Sequence, residues 1–311
     1  MNALNHTRPC EALMIDDPEI IRAEIGTVAD LICDGFDHAA LQRVVADTID
    51  IFEGRYPGYR ASKTKYHNLE HTLSVALASA RLIHGCTLAG DAFNPEDVQI
   101  ALVAALFHDV GLIQTTDDRQ GTGAKYTVGH EERSVDFVQC YLRQQGAAQD
   151  QIRACASMIR CTILAQHPKD IHFPYPAAER LGHIIGSADL LAQIADRTYL
   201  EKLLLLYMEF EEARLPGFDS QLDLLQKTVG FYQFVARKRL FEDLDGVCNH
   251  MINHFRNYCG IDTDLYDNSM QKNIAYVDTL SKKCGDSLVC YLDNLKRGGI
   301  ARDMIRNNLD L

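Results

Sequence analysis

Apolar residues recur along the chain at helical spacing, and no run alternates apolar and polar positions over the length of a strand, so the pattern predicts an all-α protein. Helices are expected at roughly 18–33 and 38–54, divided by the turn Cys33-Asp34-Gly35-Phe36-Asp37, with the first 15 or so residues loose. The stretch Gly54 to Arg60 breaks the pattern. A helix over roughly 68–84 is expected to stop near Gly85. Asn94-Pro95-Glu96-Asp97 then offers an N-cap, a first-turn proline and early acidic residues to the next helix. That helix is apolar on nearly every side, which marks it as buried. Residues 110–127 carry three glycines and several polar groups and read as a mobile loop able to contact substrate. Helices at about 128–145 and 148–164 follow, with Val128, Val135, Val138 and Leu142 as one apolar stripe. Pro168, Pro174 and Pro176 make the next segment a loop. Beyond it come a helix carrying Asp189, one at about 199–213, a turn at Leu215 to Asp219, and further helices.

Two charges interrupt this pattern where charge is costly. Asp109 is the only formally charged residue between Val98 and Gly111, and Asp189 the only one between Leu181 and Ala195. A buried carboxylate without a partner costs several kcal/mol or gives up its charge, so each needs a cation or strong donors. His108 directly precedes Asp109, and His67 and His71 stand four apart in Tyr66-His67-Asn68-Leu69-Glu70-His71, on one side of a helix. Three segments thus offer imidazole nitrogen and carboxylate oxygen to one point. That donor set suits one or two divalent ions: Zn, Mn, Fe or Co, with Mg admitted by the carboxylates. Open coordination positions would mark the site as catalytic rather than structural. Two ions bridged by a carboxylate would activate water and clamp phosphoryl oxygens, with a net positive charge left over for an anionic ester. Phosphoryl transfer is the reaction such a centre suits best.

Composition narrows the setting. The chain has 311 residues, 47% hydrophobic and 24% charged, enough for a sizeable core. No segment approaches the roughly 18 uninterrupted apolar residues of a bilayer span, and the N-terminus lacks a basic then apolar leader, so a cytoplasmic protein with no membrane partner is expected. The formal net charge of -12 argues against a duplex nucleic-acid surface. It leaves room for a small anionic substrate at a metal centre. The ten cysteines contain no CxxC pair and are expected to be mainly reduced and buried, with no disulfide framework.

The ordered motifs resemble the HD superfamily of metal-dependent phosphohydrolases. Residues Tyr66 to Val75 are similar to the Tyr-His-Asn-x-x-His opening of its cyclic-nucleotide phosphodiesterase branch, and Phe107-His108-Asp109-Val110-Gly111 to its central doublet. The likeness runs over about residues 56–245. It implies an HD-domain, phosphodiesterase-like helical bundle there, with helices of 1–55 packed on it and a helical extension over 246–311. It further implies His71, His108, Asp109 and Asp189 as metal ligands, Asp109 bridging two ions, and His67 as the general acid, a role its ordinary pKa of about 6.5 permits. Asn68 and Glu70 would orient these groups, and His130 resembles the histidine that some HD proteins place on a second or third metal. The implied activity is hydrolysis of a phosphate ester, by resemblance a nucleotide, by metal-activated hydroxide.

The chain departs from the branch at two places. Leu112, Ile113 and Gln114 stand where another histidine is usual, and Thr228 stands where a nucleobase-gripping glutamine would be expected, which weakens the case for a cyclic nucleotide. Related helical folds include di-iron oxygenases, but these use six protein ligands and five are found even with His130. A nucleotide-binding sensor without catalysis is the remaining alternative. Oligomeric state is not encoded in any pattern found.

Other polar groups read more plainly. Arg119, Lys125 and Arg133 flank the 110–127 loop and could hold the substrate phosphate or serve as surface charge. His250 and His254 stand four apart without a carboxylate motif, as on a packed or solvated helix face. His167 lies in the proline-rich loop and is a poor ligand. Glu209 to Arg214 reads as a solvated helix end, and Tyr207 to Phe210 as core.

Overall fold

The first four helices begin where a side chain can take up free backbone N–H groups. Asp17 opens α1 (Pro18–Ile32), Asp37 opens α2 (His38–Phe52), Asn68 opens α3 (Leu69–Leu88) and Asn94 opens α4 (Pro95–Phe107). Then come α5 (His130–Gln144), α6 (Gln149–Arg160), α7 (Pro176–Ala195), α8 (Tyr199–Glu212) and α9 (Gln221–Phe231). The chain continues through π-helical turns to α10 (Met251–His254), α11 (Leu265–Cys284), α12 (Leu288–Asn294) and α13 (Ile300–Arg306). The computed structural model describes residues 12, 13 and 17–306. Among them there is no strand, only an isolated bridge between Tyr59 and Thr115, and the fold is all-α as the periodicity predicts. The loose segment expected at the N-terminus lies outside the described residues except for Ala12 and Leu13, as does Cys10. No described helix is long and apolar enough to cross a membrane.

α3 is the axis of the molecule. Its side chains from His71 to Cys86 are buried without interruption, and it packs against α1, α4, α7 and α10. A helix without a polar face has no other stable place. α4 and α7 share this character, and α6 packs on both. The termini are tied to the axis through Arg81 of α3, whose buried guanidinium donates to the Ala12 carbonyl and the Tyr266 hydroxyl and lies 5.8 Å from the Phe255 ring centre. This packing brings the start of α3, the end of α4 and the middle of α7 to one place.

Several local expectations are corrected. α3 runs through Gly85 to Leu88, because Gly85 marks a helix contact and not a helix end: a Cβ there would lie 2.2 Å from the His250 carbonyl oxygen. Val128 precedes α5 and is 73% exposed, so only Val135, Val138 and Leu142 form its buried stripe. α6 stops at Arg160. The 110–127 segment is cross-braced and not an open loop: Asp118 accepts from Lys125 Nζ and the Tyr126 hydroxyl, each at 2.6 Å, and Thr122 donates through its amide and hydroxyl to Glu212. Cys284 and Cys290 form a disulfide, because the tight turn between α11 and α12 brings their Cα atoms to 5.4 Å, a proximity that needs no CxxC motif. Of the packed or solvated face expected for His254, the packed one is found: its Nδ1 lies 3.0 Å from His84 Nδ1, and burial lowers both rings, His254 to about 2.

Because the neighbour at Gly85 is main chain and cannot yield, Gly85→Ala should destabilise the fold by about 2 kcal/mol or more. A urea midpoint equal to that of the parent protein would show that α3 and the His250 segment are not in close contact.

Candidate metal centre

Local structure fixes each candidate side chain. The Asn68 side chain accepts the His71 amide at 3.0 Å, which sets where α3 begins and puts His71 in its first turn. α4 ends at Phe107, so His108 and Asp109 sit at its C-terminus. Asp189 projects from within α7, and His130 is the first residue of α5. That helix docks on the turn after Asp109: the Gly111 amide donates to Ser134 Oγ at 2.8 Å and Arg133 Nε donates to the Gly111 carbonyl at 2.7 Å. A Cβ on residue 111 would lie 1.9 Å from the His130 carbonyl oxygen, so glycine is what lets His130 come this close to Asp109.

The side chains converge. His71 Nε2 lies 3.2 Å from Asp189 Oδ1 and 3.6 Å from Asp109 Oδ2. His108 Nε2 lies 3.2 Å from Asp109 Oδ2 and 3.8 Å from Asp189 Oδ1. Donor atoms held by one ion at about 2.1 Å stand about 3.0 to 3.4 Å from their neighbours; the two 3.2 Å separations fall in that range, and those of 3.6 and 3.8 Å are a little wider. The other oxygen of Asp109, Oδ1, lies 3.2 Å from His130 Nε2. His108 Nδ1 donates to the Ala105 carbonyl and His130 Nδ1 to the Thr127 carbonyl, each at 2.8 Å, which leaves Nε2 of each ring facing the carboxylate. A lone pair against a carboxylate oxygen is repulsive unless a proton or a cation lies between them. Asp109 Oδ2 and His108 Nε2 are buried without a hydrogen-bond partner among the described residues. Buried, orphaned and of mixed imidazole and carboxylate character, the set fits a divalent cation.

Without a cation the centre must hold protons. Burial opposes charge on His108, yet the Asp109 carboxylate outweighs it and lifts the ring to about 9. Burial likewise opposes charge on His130, and its hydrogen bond to Asp109 prevails, again to about 9. Asp109 is held well below the usual carboxylate range: burial pushes it up, and the charge of His108 beside it, with His130 on its other oxygen, more than reverses this. Asp189 is lowered against its burial by His71.

His67 stands beside this group, its ring 6.0 Å from His71 and 5.8 Å from His130 between centres. Its Nδ1 lies 2.6 Å from Glu209 Oε2, and despite burial that hydrogen bond raises its pKa. Glu209 Oε1 also accepts the Lys65 and Tyr66 amides, so one buried carboxylate fixes both the ring and the chain leading into α3. Sequence reasoning missed Glu209 by assigning it to a solvated helix end. The available signal was its spacing of three from Leu206, which puts both on the buried face of α8.

Other expected roles are not met. Glu70 pairs with Lys202 at 3.0 Å and touches none of the histidines, because Lys202, bound also to Asp196, draws it the other way. Lys125 is held by Asp118 and the Gln120 carbonyl. The Arg133 guanidinium lies 3.7 Å from the Tyr126 ring centre. Both cations brace the loop and neither lines the cavity beside the centre, so neither is placed to hold a phosphate. His167 faces Asp243. His67, His108, Asp109, His130 and Asp189 form one end of a cavity of about 690 Å³.

A metal must displace the protons that His108 and His130 hold below about pH 9. Binding of Mn²⁺ or Zn²⁺ at neutral pH should therefore release about one proton from each ring. Affinity should rise with pH up to about 9 and then level. Calorimetry in buffers of different ionisation enthalpy counts the protons; pH-independent binding with none released would remove these histidines from the ligand set.

No curated protein sequence matches the chain. Residues 58–245, which hold every side chain of the centre and all of α3 to α9, match the Npun_R2479-like family, and the chain belongs to that family.

Proposed function

We propose that the protein is a divalent-metal-dependent phosphohydrolase of HD type that cleaves a phosphate ester. The observation that carries this reading is the Asp109 carboxylate with nitrogen donors on both oxygens, His71 and His108 toward Oδ2 and His130 toward Oδ1. Asp109, with His71, His108 and Asp189 on one side and His130 on the other, would hold one or two divalent ions. When bound, such ions polarise a phosphoryl oxygen and acidify water. Two divalent ions against Asp109 and Asp189 leave a positive centre, in a site dry enough for that charge to act strongly on an anionic ester.

His67 supplies the proton. Glu209 takes up its Nδ1–H, which leaves Nε2 to carry a second proton, and the raised pKa keeps that proton on the ring closer to neutral pH. The ring shares the cavity with Asp109 and Asp189, where a departing oxygen would need it. Glu209 then steadies the neutral ring in the same tautomer and orientation.

Phosphate release or diester opening from a panel of esters in Mn²⁺ or Mg²⁺ tests the reading. His108→Ala and Asp109→Ala should each abolish turnover; an undiminished rate in either removes the centre from the chemistry. Oxygen consumption by the iron-loaded protein without phosphate release would replace hydrolysis by oxygenation.

His67→Ala should still bind metal but lose about 10²- to 10⁴-fold in rate on alkyl esters, and far less on p-nitrophenyl esters, whose leaving group needs no proton. Glu209→Gln should show the same contrast at about 10- to 100-fold. Equal losses on both ester classes would exclude the acid role.

A further inference from the structure

We infer that the organic part of the substrate is a hydrocarbon: the site takes a monoester with its phosphate at Asp109 and Asp189 and an aliphatic chain lying against α8 and α9. The inference rests on the proposed phosphohydrolase reading for the head group, while the tail site stands on the cavity itself. Away from the histidines the cavity is walled by Leu190, Leu203, Leu206, Phe210, Leu224 and Phe231. Leu203, Leu206 and Phe210 are spaced three and four apart, one stripe of α8. At about 30 Å³ per water-sized group, about 690 Å³ accommodates a phosphate and roughly fifteen carbons.

The lining residues that reach solvent have the same character. Val128, Leu164 and Val235 line this cavity and are 73%, 41% and 40% exposed. Isolated exposed apolar side chains are ordinary, but three that line the same cavity give an apolar ligand surface to cover.

Four polar groups in the walls are already committed to the protein. The Thr162 hydroxyl donates to the Ile159 carbonyl at 2.8 Å, and the Thr228 hydroxyl to the Leu224 carbonyl at 2.9 Å. The Arg239 guanidinium donates to the Gln166, Cys161 and Ile163 carbonyls, and Lys227 Nζ is held by Asp223 and the Gly217 carbonyl. A nucleobase entering here would give up its hydrogen bonds to water for walls of leucine and phenylalanine, which is unfavourable. A polyphosphate would find the two cations of the walls, Arg239 and Lys227, already engaged by carbonyls and by Asp223. A hydrocarbon chain has no hydrogen bonds to give up and gains up to about threefold to fourfold in affinity for each methylene removed from water.

The test is calorimetric titration of the Mn²⁺-loaded protein with non-hydrolysable n-alkylphosphonates from butyl to decyl, with methylphosphonate and AMP alongside. Affinity should rise by about 100-fold or more from butyl to decyl, and decylphosphonate should bind more tightly than AMP. Val235→Glu in the exposed lining and Leu206→Asp in the wall should each flatten the gradient, with the Mn²⁺ stoichiometry reporting whether each variant is folded. A dissociation constant independent of chain length, or AMP binding the tightest, overturns the tail site even if phosphate esters are hydrolysed. A steep gradient with no phosphate released from decyl phosphate upholds the tail site and counts against hydrolysis instead.

Discussion

The structure turns on a carboxylate almost wholly withdrawn from water. Asp109 is 2% exposed, with His108 and His130 presenting ring nitrogens at 3.2 Å and His71 at 3.6 Å. Such a group is tolerable only when its charge is matched at close range. The chain meets that condition with rings whose other nitrogen is pinned to a backbone carbonyl, so that the matching nitrogens cannot turn away. The shifted acidities of His108, His130, Asp109 and Asp189 are four views of this one electrostatic constraint. A cation satisfies the same constraint with fixed charge and no protons, which couples metal binding to the stability of the fold.

The rest of the architecture can be read as the means of assembling that environment. α3, α4 and α7 have little polar surface and are driven to the interior, which carries His71, His108, Asp109 and Asp189 inward with them. His130 arrives differently, at the start of a helix that can approach only because residue 111 has no side chain. Hydrophobic burial thus sets four of the donors and a single close backbone contact sets the fifth. The gain from burying those helices is large enough to offset placing charge among them, provided the charges meet.

This division explains what was legible from sequence. Asn94 announces a helix start because a cap acts within a few residues, and Asp109 and Asp189 stand out because a lone charge in an apolar run is unfavourable wherever the chain goes. Glu209 was illegible. It sits among other acidic residues in a segment that looks solvated, and its partner His67 is 142 residues away. Glu70, Lys125 and Arg133 were misassigned for the converse reason: nearness in sequence to a motif does not decide which opposite charge or carbonyl a long side chain reaches. Gly85 and Gly111 illustrate a related ambiguity, since a glycine that ends a helix and one that admits a neighbour look the same in a sequence.

α8 joins the two halves of the proposed site. Glu209, which positions the proton donor, lies within one helical turn of Leu206 and Phe210, which wall the cavity. A chain held along that wall would pack against the same rigid element that aims His67, so binding far from phosphorus would be felt at the departing oxygen. Contacts of this kind raise the rate only if they are made best when the ester is aligned with the acid. A short helix carrying both groups on one face provides that alignment without a moving lid, and the apolar lining that receives the chain also keeps water from weakening the charges at Asp109.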